Sequence, residues 1–405
     1  MTKIITEEKR VDEVLDRGVE IIYPDKKALR ELLMSGKRIR LYCGFDSSAS
    51  ALHIGNAIAI NKLSQFQDLG HEVIFLIGDF TGMIGDPTDK TSARQKLTRE
   101  EVLKNSFDYQ KQASAYLKFK GENSAKIEYN SKWCDKVSFK DLIEITSNFT
   151  VQQMIQRDMF QRRIKEERPI YLHEFLYPIA QGYDSVVLDV DLEVGGNDQM
   201  FNMMAGRDLM KAVKGKEKFV MTMRLLADDA GKKMGKSEGN AVFLDTDPKN
   251  MYGIIMSWPD GVIGVGFELC TKISWSDLQD IKKQLEDQNT NPRDLKMKLA
   301  FEITKIAHGE QAAQNAQENF IKTVQNKEAP EEIESYCVKR GKYNIVDLLV
   351  ESGLTKSKGE GRRLIEQGGV KIDGEVVSDF DLDIEINDKE RIIQRGKRRF
   401  LKVLS

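Results

Sequence analysis

Through roughly the first 230 residues, short apolar runs alternate with segments in which apolar side chains recur every three or four positions. That alternation predicts strands and helices in succession, the signature of a parallel α/β sheet covered on both faces. Residues 39–45 (IRLYCGF) predict a strand, 46–52 a short loop, and 53–70 (HIGNAIAINKLSQFQDLG) a helix that stops at Gly70. A second strand is expected at 72–78 and another at 127–129.

A helical stretch at about 139–166 reads as an insertion between two halves of the sheet, and DLEVGGNDQMFNMMAGRDLMKAV (191–213) then repeats the strand, glycine loop and helix. Two such crossovers predict a doubly wound, Rossmann-like sheet with its site at the carboxyl ends of the strands. A strand-like KFVMTMRLL (218–226) leads into a loop at 227–240 rich in Gly, Lys and Asp. From 275 to about 325 the pattern is helical, NKEAP (326–330) has linker composition, and 343–405 reads as a small α+β domain. The expected division is a catalytic domain at 1–240 with helices inserted near 139–170, a helical domain at 241–326, and a terminal domain at 343–405.

Composition narrows the classes. The 405 residues carry 62 Lys+Arg against 64 Asp+Glu, a net charge of -2, with 40% hydrophobic side chains, so the chain reads as a globular protein rather than a disordered one or a polycation. Charged residues crowd the start, MTKIITEEKR, and no run approaches the ~18 apolar residues of a membrane span, so a cytoplasmic protein is expected. Four widely spaced cysteines and four histidines give no disulfide framework or zinc motif, and any metal is expected to arrive with a ligand.

Two motifs carry candidate chemistry. In LYCGFDSSASALHIGN, His53, Gly55 and Asn56 fall in the first turn of a predicted helix, where unpaired N–H groups and the dipole favour phosphate, while Gly44 and Asp46 close the preceding strand. The plainer alternative for His53 is a helix cap. In KKMGKSEGN (232–240), Lys233 and Lys236 can bring two ammonium groups onto one polyphosphate if the loop folds over it, the alternative being a solvated charged loop.

A HIGH-like tetrapeptide after the first strand and a KMSKS-like pentapeptide after the last resemble a class I aminoacyl-tRNA synthetase. YCGFD (42–46), TGMIGDPTDK (81–90), LYPIAQGYD (176–184) and GGNDQ (195–199) narrow the resemblance to bacterial-type tyrosyl-tRNA synthetases, over nearly the whole chain. The resemblance implies that Tyr42 and Asp184 bind the phenol hydroxyl of tyrosine, that Tyr177, Gln181 and Asp86 surround its ammonium, and that Gln199 orients its carboxylate. Tyr177, Gln181 and Asp184 also share one helix face, at i, i+4 and i+7. It further implies that Asp198 and Gly196 receive the ATP ribose, that His53 and Asn56 grip its phosphates, that Lys233 and Lys236 close over them, and that Lys90 and Arg94 hold the departing pyrophosphate. ATP would enter as substrate with Mg²⁺, and tRNA(Tyr) would accept the tyrosyl group. The plainer alternatives are an N-cap for Asp198, a surface carboxylate for Asp184 and a core aromatic for Tyr177. Two residues depart from the pattern: Asn56 stands for the second histidine of HIGH, keeping an N–H donor, and Gly235 for the central serine of KMSKS.

LLVESGLTKSKGEGRRLIEQGGVKID (348–373) resembles an S4-type RNA-binding module. Lys356, Lys358, Arg362 and Arg363, with Lys397, Arg398 and Arg399 in the final RIIQRGKRRFLKVLS, give an electrostatic footprint for an RNA backbone. The resemblance also implies a homodimer joined through the inserted helices. Two other readings compete: a tryptophanyl-tRNA synthetase, against which Tyr42 and Asp184 argue, and a synthetase-derived RNA-binding protein without catalysis, against which His53, Lys233, Lys236 and Asp198 argue.

Overall fold

The computed structural model describes residues 2–405 except 89–96, 228–233, 235–240, 288, 326–333, 388 and 397–398. The chain forms two compact units, Met1–Ala312 and Ala313–Ser405. In the first, α1 (Glu8–Asp16), β1 (Val19–Tyr23) and α2 (Lys26–Met34) precede β2 (Arg40–Asp46), α3 (Ile54–Asp68) and β3 (Glu72–Gly78). Short helices α4 (Thr81–Ile84), α5 (Arg99–Ser106) and α6 (Tyr109–Ala113) lead to β4 (Lys126–Tyr129) and α7 (Ser131–Cys134). The inserted stretch is three helices, α8 (Phe139–Thr146), α9 (Val151–Ile155) and α10 (Asp158–Lys165), followed by the long α11 (Leu172–Leu188), β5 (Leu192–Gly196), α12 (Met200–Lys214) and β6 (Phe219–Met223).

The sheet has the order β1-β6-β5-β2-β3-β4. β2 runs parallel to both β3 and β5, β3 to β4 and β5 to β6, while β1 is an antiparallel edge on β6. Chain order reverses direction between β2 and β5, so the crevice beyond their carboxyl ends is the topological switch point where open α/β sheets bind ligands. The doubly wound sheet agrees with the expected one. The edge strand β1 was not foreseen, because only Ile22 in VEIIY is buried and the segment shows no apolar run.

Helix ends follow local chemistry. Leu69 caps α3 and Gly70 follows at φ +94°, a left-handed turn that suits glycine. Helices α11 and α12 lie against each other at a glycine crossing: a Cβ on Gly182 would stand 3.2 Å from the Gly206 backbone. At the start of α11, buried Arg163 of α10 forms a two-pronged ion pair with buried Glu174, at 2.5 and 3.0 Å, fixing the insertion to the long helix.

Residues 248–308 add four helices, α13 (Pro248–Met256), α14 (Ile263–Cys270), α15 (Trp275–Glu286) and α16 (Pro292–His308). Among its described residues the second unit opens with most of a helix, Glu310–Phe320, and then holds a five-stranded sheet, a two-stranded sheet and the helices Ile345–Glu351 and Lys358–Glu366, around a core of Ile345, Leu348, Ile365, Val370, Ile393 and Val403.

Candidate active site

A cavity of about 330 Å³ opens at the switch point. Its size suits a small-molecule site. Its lining includes Tyr42, Gly44 and Asp46 of β2, His53, Gly55 and Asn56 at the start of α3, Asp86, Tyr177, Gln181 and Asp184 of α11, and Gly196, Asp198 and Gln199 after β5. All thirteen of these were singled out from the sequence, and one cavity gathers them.

The start of α3 is a reciprocal cap. The His53 ring accepts from the Gly55 N–H at 3.1 Å, and the Asn56 side-chain oxygen accepts from the His53 N–H at 3.0 Å. Capping and ligand binding are thus compatible for His53. Asn56 uses its oxygen in the cap, which leaves its NH₂ as the donor able to meet a phosphate. Glycine at 55 is required by the His53 ring itself, since a Cβ there would lie 2.9 Å from it. The preceding loop is pinned from α6, with Tyr109 donating to the Ala49 carbonyl at 2.7 Å and Gln112 accepting from the Leu52 N–H at 2.7 Å.

The α11 end is polar and internally paired. Asp184 is buried, with Trp133 Nε1 donating to one oxygen at 2.8 Å and Asn130 Nδ2 to the other at 3.2 Å. Burial pushes its carboxyl well above the usual carboxylate range; those two hydrogen bonds oppose the push, and Glu193 and Asp46 add to it. It is therefore no surface carboxylate. Tyr177 donates to Asp46 at 2.8 Å, and Thr81 donates to the other Asp46 oxygen at 2.7 Å. Gln199 donates to Asp86 at 2.8 Å, and Thr88, itself bonded by Arg157 at 2.8 Å, donates to the second Asp86 oxygen at 2.6 Å. The Tyr42 hydroxyl lies 2.9 Å from Ser185 Oγ, and burial raises its pKa well above the ordinary phenol value. Asp198 does not cap α12, whose N-cap position is Gln199, without a side-chain cap bond.

The family described as tRNA synthetases class I (W and Y) matches residues 34–325, and a tyrosine–tRNA ligase SYY-like C-terminal domain matches 325–403. The tyrosine–tRNA ligase of Thermotoga maritima is 42% identical over 400 residues, covering 98% of each chain. The chain belongs to the bacterial-type tyrosyl-tRNA synthetases. The tyrosine–tRNA ligase of Aquifex aeolicus is 39% identical over 402 residues, spanning 99% of this chain and all of that one. Among solved structures, a C-terminally truncated Coccidioides posadasii mitochondrial tyrosyl-tRNA synthetase shares the fold with a TM-score of 0.64 at 24% identity, over 77% of this chain and 92% of that one. An Archaeoglobus fulgidus tyrosyl-tRNA synthetase complexed with L-tyrosine gives 0.60 at 19% identity, over 76% and 99%.

Within this tyrosyl-tRNA synthetase fold, four expected site residues, Lys90, Arg94, Lys233 and Lys236, lie outside the described residues, as do Lys397 and Arg398. Met234 is described and buried, its N–H donating to the Leu226 carbonyl at 2.7 Å. In the second unit Lys356, Lys358, Arg362, Arg363 and Arg399 are exposed, and Lys358 pairs with Asp347 at 2.6 Å. Sequence reasoning missed Asn130, Trp133, Ser185, Glu193 and Lys218. Glu193 and Lys218 had a legible signal: a charge inside or directly before an apolar strand buried on both faces demands a partner.

Proposed function

We infer that this tyrosine–tRNA ligase activates L-tyrosine with ATP and passes the tyrosyl group to the 3′-terminal adenosine of tRNA(Tyr). In the first step a tyrosine carboxylate oxygen attacks the α-phosphorus, the bond to the bridging oxygen breaks, and pyrophosphate leaves with that electron pair. In the second, the terminal ribose hydroxyl attacks the acyl carbon and AMP departs. Neither step needs a covalent enzyme intermediate, so the protein's part is positioning and charge stabilisation.

What supports the reading is the gathering of the tyrosine-type and ATP-type residues along one cavity at the switch point. In it, Asp184 and Tyr42 take the phenol hydroxyl, Tyr177, Gln181 and Asp86 the ammonium, and Gln199 the carboxylate. His53 and Asn56 meet the phosphates, Gly44, Asp46, Gly55, Gly196 and Asp198 the nucleoside, and Lys90, Arg94, Lys233 and Lys236 the polyphosphate. Mg²⁺ enters on the ATP phosphates; among the described residues no three metal-type side chains cluster to hold one independently. Residues 1–240 carry the chemistry, and 241–326 and the S4-like 343–405 hold the tRNA, the latter through Lys356, Lys358, Arg362, Arg363, Lys397, Arg398 and Arg399.

The enzyme acts as a homodimer in the cytoplasm. Supporting the dimer, Phe139, 78% exposed, lines an apolar cavity of about 320 Å³ with Phe80, Leu142, Ile145, Ile179 and Tyr183, and Leu172 at the start of α11 is 82% exposed. Among the described residues no helix is long and apolar enough to cross a membrane.

The deciding assay is amino-acid-dependent exchange of labelled pyrophosphate into ATP, with tyrosine, tryptophan and phenylalanine in parallel and without tRNA. Exchange with tyrosine alone is expected. Exchange with tryptophan would overturn the substrate, and exchange with none would leave an RNA-binding protein.

A further inference from the structure

Behind the phenol end of the cavity lies a buried polar chain that the reaction described above does not use. Glu193 of β5 lines the cavity yet is almost wholly buried, and it pairs with Lys218, also wholly buried. Gln181 Nε2 donates to the other Glu193 oxygen at 3.0 Å, so both oxygens are occupied. Lys218 Nζ also donates to Ser185 Oγ at 2.8 Å, and Ser185 Oγ lies 2.9 Å from the Tyr42 hydroxyl and 3.3 Å from Glu193 Oε2. The crowding is built in: a Cβ on Gly206 would stand 2.7 Å from Lys218 Nζ and 3.0 Å from Ser185 Oγ.

Proton counting gives this chain a direction. An ammonium can only donate, so Ser185 Oγ must accept from Lys218 and has a single proton left to give. Tyr42 at 2.9 Å is the nearer acceptor, and the alternative, Glu193 at 3.3 Å, gives the longer bond. If Ser185 donates to Tyr42, the Tyr42 O–H is left to the Gln181 backbone carbonyl at 3.4 Å, a long bond that a substrate phenol oxygen in the cavity can replace.

We propose that Lys218 and Ser185 are positioning residues for substrate selection: the chain Lys218 to Ser185 to Tyr42 fixes Tyr42 as a hydrogen-bond donor to the substrate phenol oxygen while Asp184 accepts the phenol proton. A phenol supplies both halves of that pair, and phenylalanine supplies neither, so the buried donor and acceptor are left unmatched. Glu193 balances the Lys218 charge and holds Gln181 by its NH₂, which turns the Gln181 oxygen toward the substrate ammonium. The inference rests on the tyrosine reading above.

The test is pyrophosphate exchange by full-length Lys218→Met, Ser185→Ala and the double variant Glu193→Gln/Lys218→Met. In Lys218→Met the Ser185 proton turns to the unpaired Glu193, and Tyr42 must then donate to Ser185. The KM for tyrosine should rise roughly tenfold to a hundredfold, the KM for ATP and kcat should hold, and the preference for tyrosine over phenylalanine should fall. Removing the stranded charge in the double variant should recover part of the tyrosine KM. Ser185→Ala, which leaves the ion pair in place, should reproduce the loss even if Lys218→Met fails to fold. An unchanged preference in Ser185→Ala, or equal rises in both KM values, would overturn the relay. A wild-type protein that exchanges without tyrosine would instead remove the reading beneath it.

Discussion

Lys62 offers a prediction whose size follows from its surroundings. Its side chain is 1% exposed within α3, and its ammonium donates to the Val14 carbonyl of α1 at 2.6 Å. Burial, helped by Arg17, lowers its pKa from 10.5 to about 7, against the pull of Glu13, Asp16 and Glu268. Between those values the unfolded chain holds a proton that the folded chain has released, so stability rises with pH across this window and is lowest at and below pH 7. Integrated from pH 7 to pH 10, the gain is on the order of 3 kcal/mol. Lys62→Met keeps the length, removes the titration and forfeits one hydrogen bond of about 1 kcal/mol. The variant should therefore be more stable than the parent by a few kcal/mol at pH 7, an advantage that vanishes by about pH 10. Urea unfolding followed by tryptophan fluorescence reads the right unit, because Trp133, Trp258 and Trp275 all fall within residues 1–312. Other groups titrate in both proteins and cancel in the difference. Parallel stability curves from pH 7 to 10 would refute the buried-charge argument.

Other sites give shorter predictions. Wholly buried His71 has its pKa lowered by burial from 6.5 to about 4, so the unfolded chain alone gains its proton on acidification and stability is lost as pH falls through that window, by about 3 kcal/mol; His71→Asn should flatten this part of the acid limb in unfolding titrations, and an unaltered limb would contradict it. Gly182→Ala should destabilise the first unit by about 1 to 3 kcal/mol through overpacking against Gly206, and a midpoint equal to the parent's would show that the crossing has slack. Asp184→Asn should lower kcat/KM for tyrosine by roughly tenfold to a hundredfold with a much smaller effect on phenylalanine, measured by pyrophosphate exchange; equal losses would take Asp184 away from the phenol.

Strands β2 and β3 were legible because a strand buried on both faces must be apolar throughout, and β3 (EVIFLIG) is buried from its second residue to its last. The site residues on α11 were legible through the resemblance carried by LYPIAQGYD, which helical spacing supports by placing 177, 181 and 184 on one face. The partners of the supporting residues were not, even where a buried charge such as Glu193 or Lys218 announced that it needed one, because those partners come from distant elements: Asn130 and Trp133 reach Asp184 from across some 50 positions of chain, and Lys218 meets Glu193 across 25. Such pairings are fixed by the order of strands in the sheet, which no local pattern encodes. The edge strand β1 escaped for the opposite reason, since its pairing with β6 is supplied by backbone hydrogen bonds while most of its side chains face outward.

Helix α11 carries Tyr177, Gln181, Asp184 and Ser185 on a single rod, clamped near its start by the Arg163–Glu174 pair. Errors of placement are therefore shared by every contact on that rod, whose side chains are tied to β2 through Tyr177–Asp46 and Ser185–Tyr42 and to β5 through Gln181–Glu193. Because the phenol pair joins Tyr42 on β2 to Asp184 on the rod, a shift of the rod changes affinity and selectivity together. Substitutions around the clamp would move every one of these contacts together, whereas changes at Tyr42, on the inward face of α11 or in the Lys218–Ser185 chain would alter which amino acid is chosen.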